Sequence, residues 1–161
     1  MEKIRIGEKE LEALRRDART NPLKRARINL HQSPEDIIQE MVIALCKGSY
    51  ICPHRQRNKE KSYSLIEGEM IVAFFNDLGR CTRSIRMGRE RDRDPVVYRF
   101  ASDEWHTVIS LSETVIYVET TSGPYRPEET EFVSWGPNPE DDVQREAFLA
   151  SFCEAVERGS L

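Results

Sequence analysis

The chain has 161 residues, 39% hydrophobic and 32% charged, with 24 Lys and Arg against 28 Asp and Glu for a formal net charge of −4. This length suits one domain with a core large enough to need no disulfide staples. The acidic balance leaves no global basic field for nucleic acid or anionic lipid, and no run approaches the roughly 18 apolar residues of a membrane span.

Residues 2–5 are mostly charged and lack the apolar stretch of a secretory signal. Cys46, Cys52, Cys81 and Cys153 form no CxxC pair. Free thiols in a reducing cytoplasm are therefore expected.

Residues 8–19 carry Leu11 and Leu14 among charges and predict a short surface helix that ends at Asn21-Pro22. A second helix is predicted after Ser33. Ser33 fits an N-cap and Pro34 the first helical position, and Ile37, Ile38, Met41, Val42 and Leu45 supply an apolar face. From Tyr50 the texture changes to short strand-like runs at 49–56, 61–67, 69–76, 96–100, 105–111, 114–120 and 131–135. Asn76-Asp77-Leu78-Gly79 is a strong turn signal between them. Strands at this spacing predict a sandwich or barrel. Residues 141–158 return to helical periodicity, with Val143, Ala147, Phe148, Phe152 and Val156 as the stripe that packs outside the barrel. The divisions are a helical segment at 1–46, a β-barrel at 47–138 and a helix at 139–161, within one domain.

Residues 86–94 are almost all charged, which predicts a solvated loop. An anion-gripping role, helped by Arg80 and Arg83, is opposed by the interleaved Glu90, Asp92 and Asp94.

The chemistry-bearing stretch is Tyr50-Ile51-Cys52-Pro53-His54-Arg55-Gln56. On a strand, alternate residues share a face, so Cys52, His54 and Gln56 point together. Pro53 lacks a backbone donor and places this strand at an edge or locally out of its ladder. His106 begins another strand and projects into the same cavity if both faces turn inward. Imidazoles are common ligands for transition metals, and the amide oxygen of Gln56 is a weak neutral donor. The alternative is that each histidine is simply a hydrogen-bonded core residue.

The stretch from Gly48 to Gln56, followed by Ser62-Tyr63-Ser64-Leu65-Ile66-Glu67-Gly68, resembles the first cupin motif. With Arg25–His31, Gln39-Glu40-Met41, Trp105-His106-Thr107 and Gly123-Pro124-Tyr125, the chain is most similar to the WbuC-type cupin metalloproteins over roughly residues 20–126. The resemblance implies a jelly-roll β-barrel holding a divalent transition metal (Fe, Zn, Ni, Mn or Cu), in proteins associated with bacterial surface-polysaccharide synthesis. By position, His54 becomes the first ligand and His106 the last. Two positions depart from the pattern. Gln56 stands where a second histidine is expected, and Lys61 where a carboxylate is expected. Glu60 is adjacent but faces away on a regular strand.

Three outcomes are open: weak metal binding through His54, Gln56 and His106; recruitment of a Cys52 thiolate for a softer ion; or loss of the metal, with Lys61 meeting an anionic ligand. In the first, the protein is a metal-dependent enzyme of oxygenase or isomerase/lyase type acting on a small polar, sugar-derived molecule, with Lys61, Tyr63 and His31 as acid/base candidates. In the last, it is a metal-free cupin that binds an anionic sugar or nucleotide sugar without catalysis. Arg25 and Arg27 are candidates to hold a carboxylate or phosphate, or equally to pair with surface acids, and Glu119 is a candidate inward acid or salt-bridge partner. A homodimer is expected, with no nucleic-acid or membrane partner.

Overall fold

The computed structural model describes residues 4–157, with side chains described through residue 152. Two five-stranded antiparallel sheets face each other. One has the order Arg25–Asn29, Ile38–Cys46, Thr114–Ser122, Glu60–Glu67, Val97–Ala101, the other Thr130–Phe132, His54–Gln56, Trp105–Ser110, Met70–Phe75, Cys81–Met87. In chain order the elements are α1 (Glu8–Thr20), β1 (Arg25–Asn29), β2 (Ile38–Cys46), β3 (His54–Gln56), β4 (Glu60–Glu67), β5 (Met70–Phe75), β6 (Cys81–Met87), β7 (Val97–Ala101), β8 (Trp105–Ser110), β9 (Thr114–Ser122), β10 (Thr130–Phe132) and α2 (Asp142–Glu157). Among the described residues no helix is long and apolar enough to cross a membrane.

The expected helix after Ser33 is instead strand β2. It pairs with β1 on one side and β9 on the other, and both its faces are covered. Val42, Ala44 and Cys46 pack under Leu14 and Ala18 of α1, while Leu45 joins the core between the sheets. Such a strand reads as a nearly continuous apolar run, and periodicity alone does not separate it from a buried helix. The capping signals form a tight turn: Glu35 N–H donates to Ser33 Oγ, and the N–H groups of Gln32 and Ser33 donate to Asp36 Oδ2. The first 46 residues thus contribute one helix and two strands of the main sheet, rather than a helical segment.

The sheets are two separate layers, not one closed barrel. The junction region explains this in part. β3 is three residues long, Pro53 lacks the N–H that would extend its pairing, and His54 opposite His106 is its one register pair with β8. Strand β6 falls where no strand is expected, and its last two residues, Arg86 and Met87, overlap the expected charged loop, whose residues 88–94 do lie outside any strand. Its Arg86 is held by both Glu69 carboxylate oxygens at 2.9 and 2.8 Å, and Arg83 is forked on Glu104 and lies 3.8 Å over the Phe74 ring. These arginines are spent on internal partners.

One end of the space between the sheets is filled by apolar side chains, including Leu45, Leu65, Met70, Phe74, Met87 and Phe100. Fully burying each such side chain is worth about 1.5–3 kcal/mol. On the other face of β5, Ile71, Ala73 and Phe75 are covered by Leu149 and Phe152 of α2, which packs outside as expected. Val143 is 77% exposed and Ala147 is also exposed, so the buried stripe is shifted to Leu149. The Val156 side chain lies outside the described residues.

Candidate functional site

The opposite end of the jelly roll holds an open cavity into which several charged and polar side chains reach. Alternate residues of four neighbouring strands line it: Arg25 and Arg27 from β1, Gln39 and Met41 from β2, Tyr117 and Glu119 from β9, Lys61 and Tyr63 from β4. The second sheet contributes His54 and Gln56, and the cavity measures about 960 Å³. Every one of these pairs follows the two-residue side-chain repeat of a strand.

His54 and His106 are register partners in the β3–β8 ladder, and their ring centroids lie 4.7 Å apart. His106 is fully buried, with Phe100 edge-on at 4.9 Å. The main chain sets both tautomers. His54 Nδ1 lies 3.0 Å from Cys52 O and His106 Nδ1 lies 2.8 Å from Glu104 O. A carbonyl only accepts, so each Nδ1 carries the proton and each Nε2 presents a lone pair. Burial, then the Lys61 charge, pushes His54 down to about 4 from 6.5. The same two causes hold His106 well below its usual value. Both rings are neutral near pH 7.

Lys61 is 2% exposed. Its Nζ lies 3.4 Å from His106 Nε2 and 3.2 Å from Glu119 Oε1. The ammonium thus donates to the imidazole lone pair while pairing with the carboxylate, which offsets the cost of burying it. Glu60, one residue earlier, faces outward and pairs with Arg99.

The other expected site residues spread around this centre. Gln56 is buried and lines the cavity, and its amide nitrogen donates to Thr130 Oγ1 at 3.0 Å. Tyr63 lines it too, packed against Tyr117 and Phe100, and burial raises its phenol well above its ordinary value. His31 sits at the rim with Nδ1 against the Glu40 backbone, apart from the Lys61 cluster. Cys52 borders the cavity and packs against the cluster of Tyr50 and Phe75. Its carbonyl is what orients His54. Glu119 enters as the partner of Lys61, and its signal in the sequence is strand alternation with Tyr117. Gln39 is an unforeseen part: its amide donates to the carbonyls of Ser33, Pro34 and Asp36 and pins the loop at the rim.

A divalent metal is the group implied by the sequence resemblance, and the donor set does not fit one. Among the described residues, no three His, Cys, Asp or Glu side chains gather closely enough to share an ion. The lone pair of His106 is engaged by an ammonium, and the nearest carboxylate is engaged by the same ammonium. A dication there would face the Lys61 charge at short range.

The two-layer jelly roll with a polar pocket between its sheets defines a protein of the cupin-type fold. The chain belongs to the family described as Domain of unknown function (DUF6016), whose sequence model matches residues 6–87. That segment carries His54, Gln56 and Lys61, whereas His106 and Glu119 lie beyond it. No curated protein matches the chain in sequence. Among solved structures it is similar to protein SO0799 from Shewanella oneidensis, at TM-score 0.60 and 11% identity over 88% of this chain and 94% of that one. TT1209 from Thermus thermophilus is similar at TM-score 0.51 and 22% identity, over 70% and 92%. The capsular polysaccharide assembling protein CapF from Staphylococcus aureus is similar at TM-score 0.52 and 14% identity, over 66% of this chain and 31% of that one. At these identities the likeness is one of fold.

Proposed function

We propose that this protein is a metal-independent cupin-type pocket that binds a small, polar, sugar-derived molecule, with Lys61 as the fixed cation at its floor. The observation that carries this reading is the buried Lys61 ammonium between His106 Nε2 and Glu119 Oε1. It stands where the resemblance to the first cupin motif puts a metal-binding carboxylate. It holds the polar centre together without an ion and leaves His54 Nε2 as an acceptor facing the cavity. A ligand hydroxyl or carbonyl then meets an acceptor at His54 and a donor at Lys61, in a space that suits a molecule of sugar size.

The resemblance to WbuC-type cupins and the fold likeness to CapF support a setting in surface-polysaccharide synthesis. A cytoplasmic homodimer belongs to the same reading. The free thiols of Cys46, Cys52 and Cys81 support the compartment, and light scattering tests the dimer.

The test is thermal stabilisation by a panel of monosaccharides, uronic acids and nucleotide sugars, with and without chelator. The reading expects stabilisation that chelator leaves unchanged and that Lys61→Met abolishes. Stabilisation that disappears with chelator, or no shift across the panel, contradicts it.

A further inference from the structure

The charges around the cavity are unbalanced in a chain whose net charge is −4. Arg25, Arg27, Lys61 and Arg145 line it, with Glu119 as the carboxylate among them. Lys61 is paired with Glu119, and Arg145 with Asp142 on its own helix. Arg25 and Arg27 have no carboxylate within ion-pairing distance among the described residues. They stand two apart on edge strand β1, both on the face that looks into the cavity.

Arg25 is half-buried, and its one hydrogen bond to protein runs from Nη1 to Tyr50 O at 3.2 Å. Arg27 reaches only the Met41 sulfur, at 4.0 Å. Two like charges side by side repel, and partial burial of one adds desolvation. Burial and then Arg27 lower the Arg25 guanidinium, with Tyr117 opposing. Most of their N–H groups remain free to donate. A single carboxylate satisfies one such fork, whereas a phosphate or diphosphate offers enough oxygens and charge for both.

We infer that Arg25 and Arg27 form the seat for a phosphate or diphosphate group at the β1 side of the pocket. The remainder of the ligand then lies toward His54 and Lys61. This inference rests on the pocket reading and adds the chemical class of the ligand, a phosphorylated or nucleoside-diphosphate-linked sugar.

Inorganic pyrophosphate is the direct probe, titrated by calorimetry at constant ionic strength with chelator present. Its affinity should fall about tenfold or more in Arg25→Gln and in Arg27→Gln, the loss of one charge-assisted contact each. Arg27 is exposed, so Arg27→Gln keeps the test open if Arg25→Gln folds poorly. Pyrophosphate affinity unchanged in both arginine variants, or absent in the native protein, overturns the seat. Unphosphorylated sugars that still stabilise the protein through Lys61 in that case leave the pocket reading standing, so the two failures are distinguishable.

Discussion

His54 and His106 face each other directly across β3 and β8, their rings 4.7 Å apart, although 51 residues of chain separate them. Both are neutral because the surrounding protein strips water from them and Lys61 adds a like charge. A histidine whose folded value lies below its unfolded one costs stability when it protonates. Its contribution is complete above about 6.5 and is lost as pH falls toward about 4. Across that window each such group costs up to about 1.4 kcal/mol per pH unit. Urea denaturation from pH 7.5 to 4 should therefore show falling stability, with a shallower slope in His54→Gln. An identical slope in the variant contradicts the depressed histidine.

Lys61 and Glu119 should behave as a coupled pair. Lys61→Met leaves a carboxylate, 16% exposed at its side chain, without its cation. The expected loss is about 2–3 kcal/mol, below the range for a fully dry pair. Adding Glu119→Leu to Lys61→Met should recover much of this. Denaturant unfolding of the four proteins in a double-mutant cycle measures the coupling, expected at about 1–3 kcal/mol. Strict additivity contradicts the pair.

The meeting of the two imidazoles was legible because strand alternation is short-range and both histidines sit on well-marked strands. The outward Glu60 followed from the same rule, whereas Glu119 was open between an inward acid and a salt-bridge partner and is both. Strand β2 was not legible, because apolar residues on both of its faces carry no period of two. Strand β6 was hidden by its arginines, whose partners Glu69, Asp94 and Glu104 are distant in sequence. The charge conflict at the expected metal position was legible only as a question. Lys61 announced a charge conflict, and its resolution needed the three-dimensional position of Glu119 and His106.

The cavity rim depends on Gln39, whose buried amide serves three carbonyls of the turn at residues 33–36. Gln39→Leu should cost about 1–2 kcal/mol and speed amide hydrogen exchange at residues 32–37. Gly123 closes against the same turn: a Cβ there would collide with the Asp36 carbonyl oxygen. Gly123→Ala should loosen the same segment and weaken ligand stabilisation. Exchange unchanged in both variants contradicts this role.

Restoring the pattern expected of a metal-binding cupin should restore the metal. Lys61→Glu combined with Gln56→His removes the ammonium and supplies an anion and an imidazole on the cavity face. Calorimetric titration should show Zn²⁺ or Ni²⁺ affinity well above that of the native protein. Equal affinity in the two proteins contradicts the assignment of Lys61 as the ion's replacement.

Elemental analysis of native protein purified from metal-replete medium bears most directly on the Lys61 centre. The expected result is transition metal far below one equivalent, with a melting temperature that dialysis against chelator does not change. Near-stoichiometric metal that vanishes in His54→Ala would contradict it.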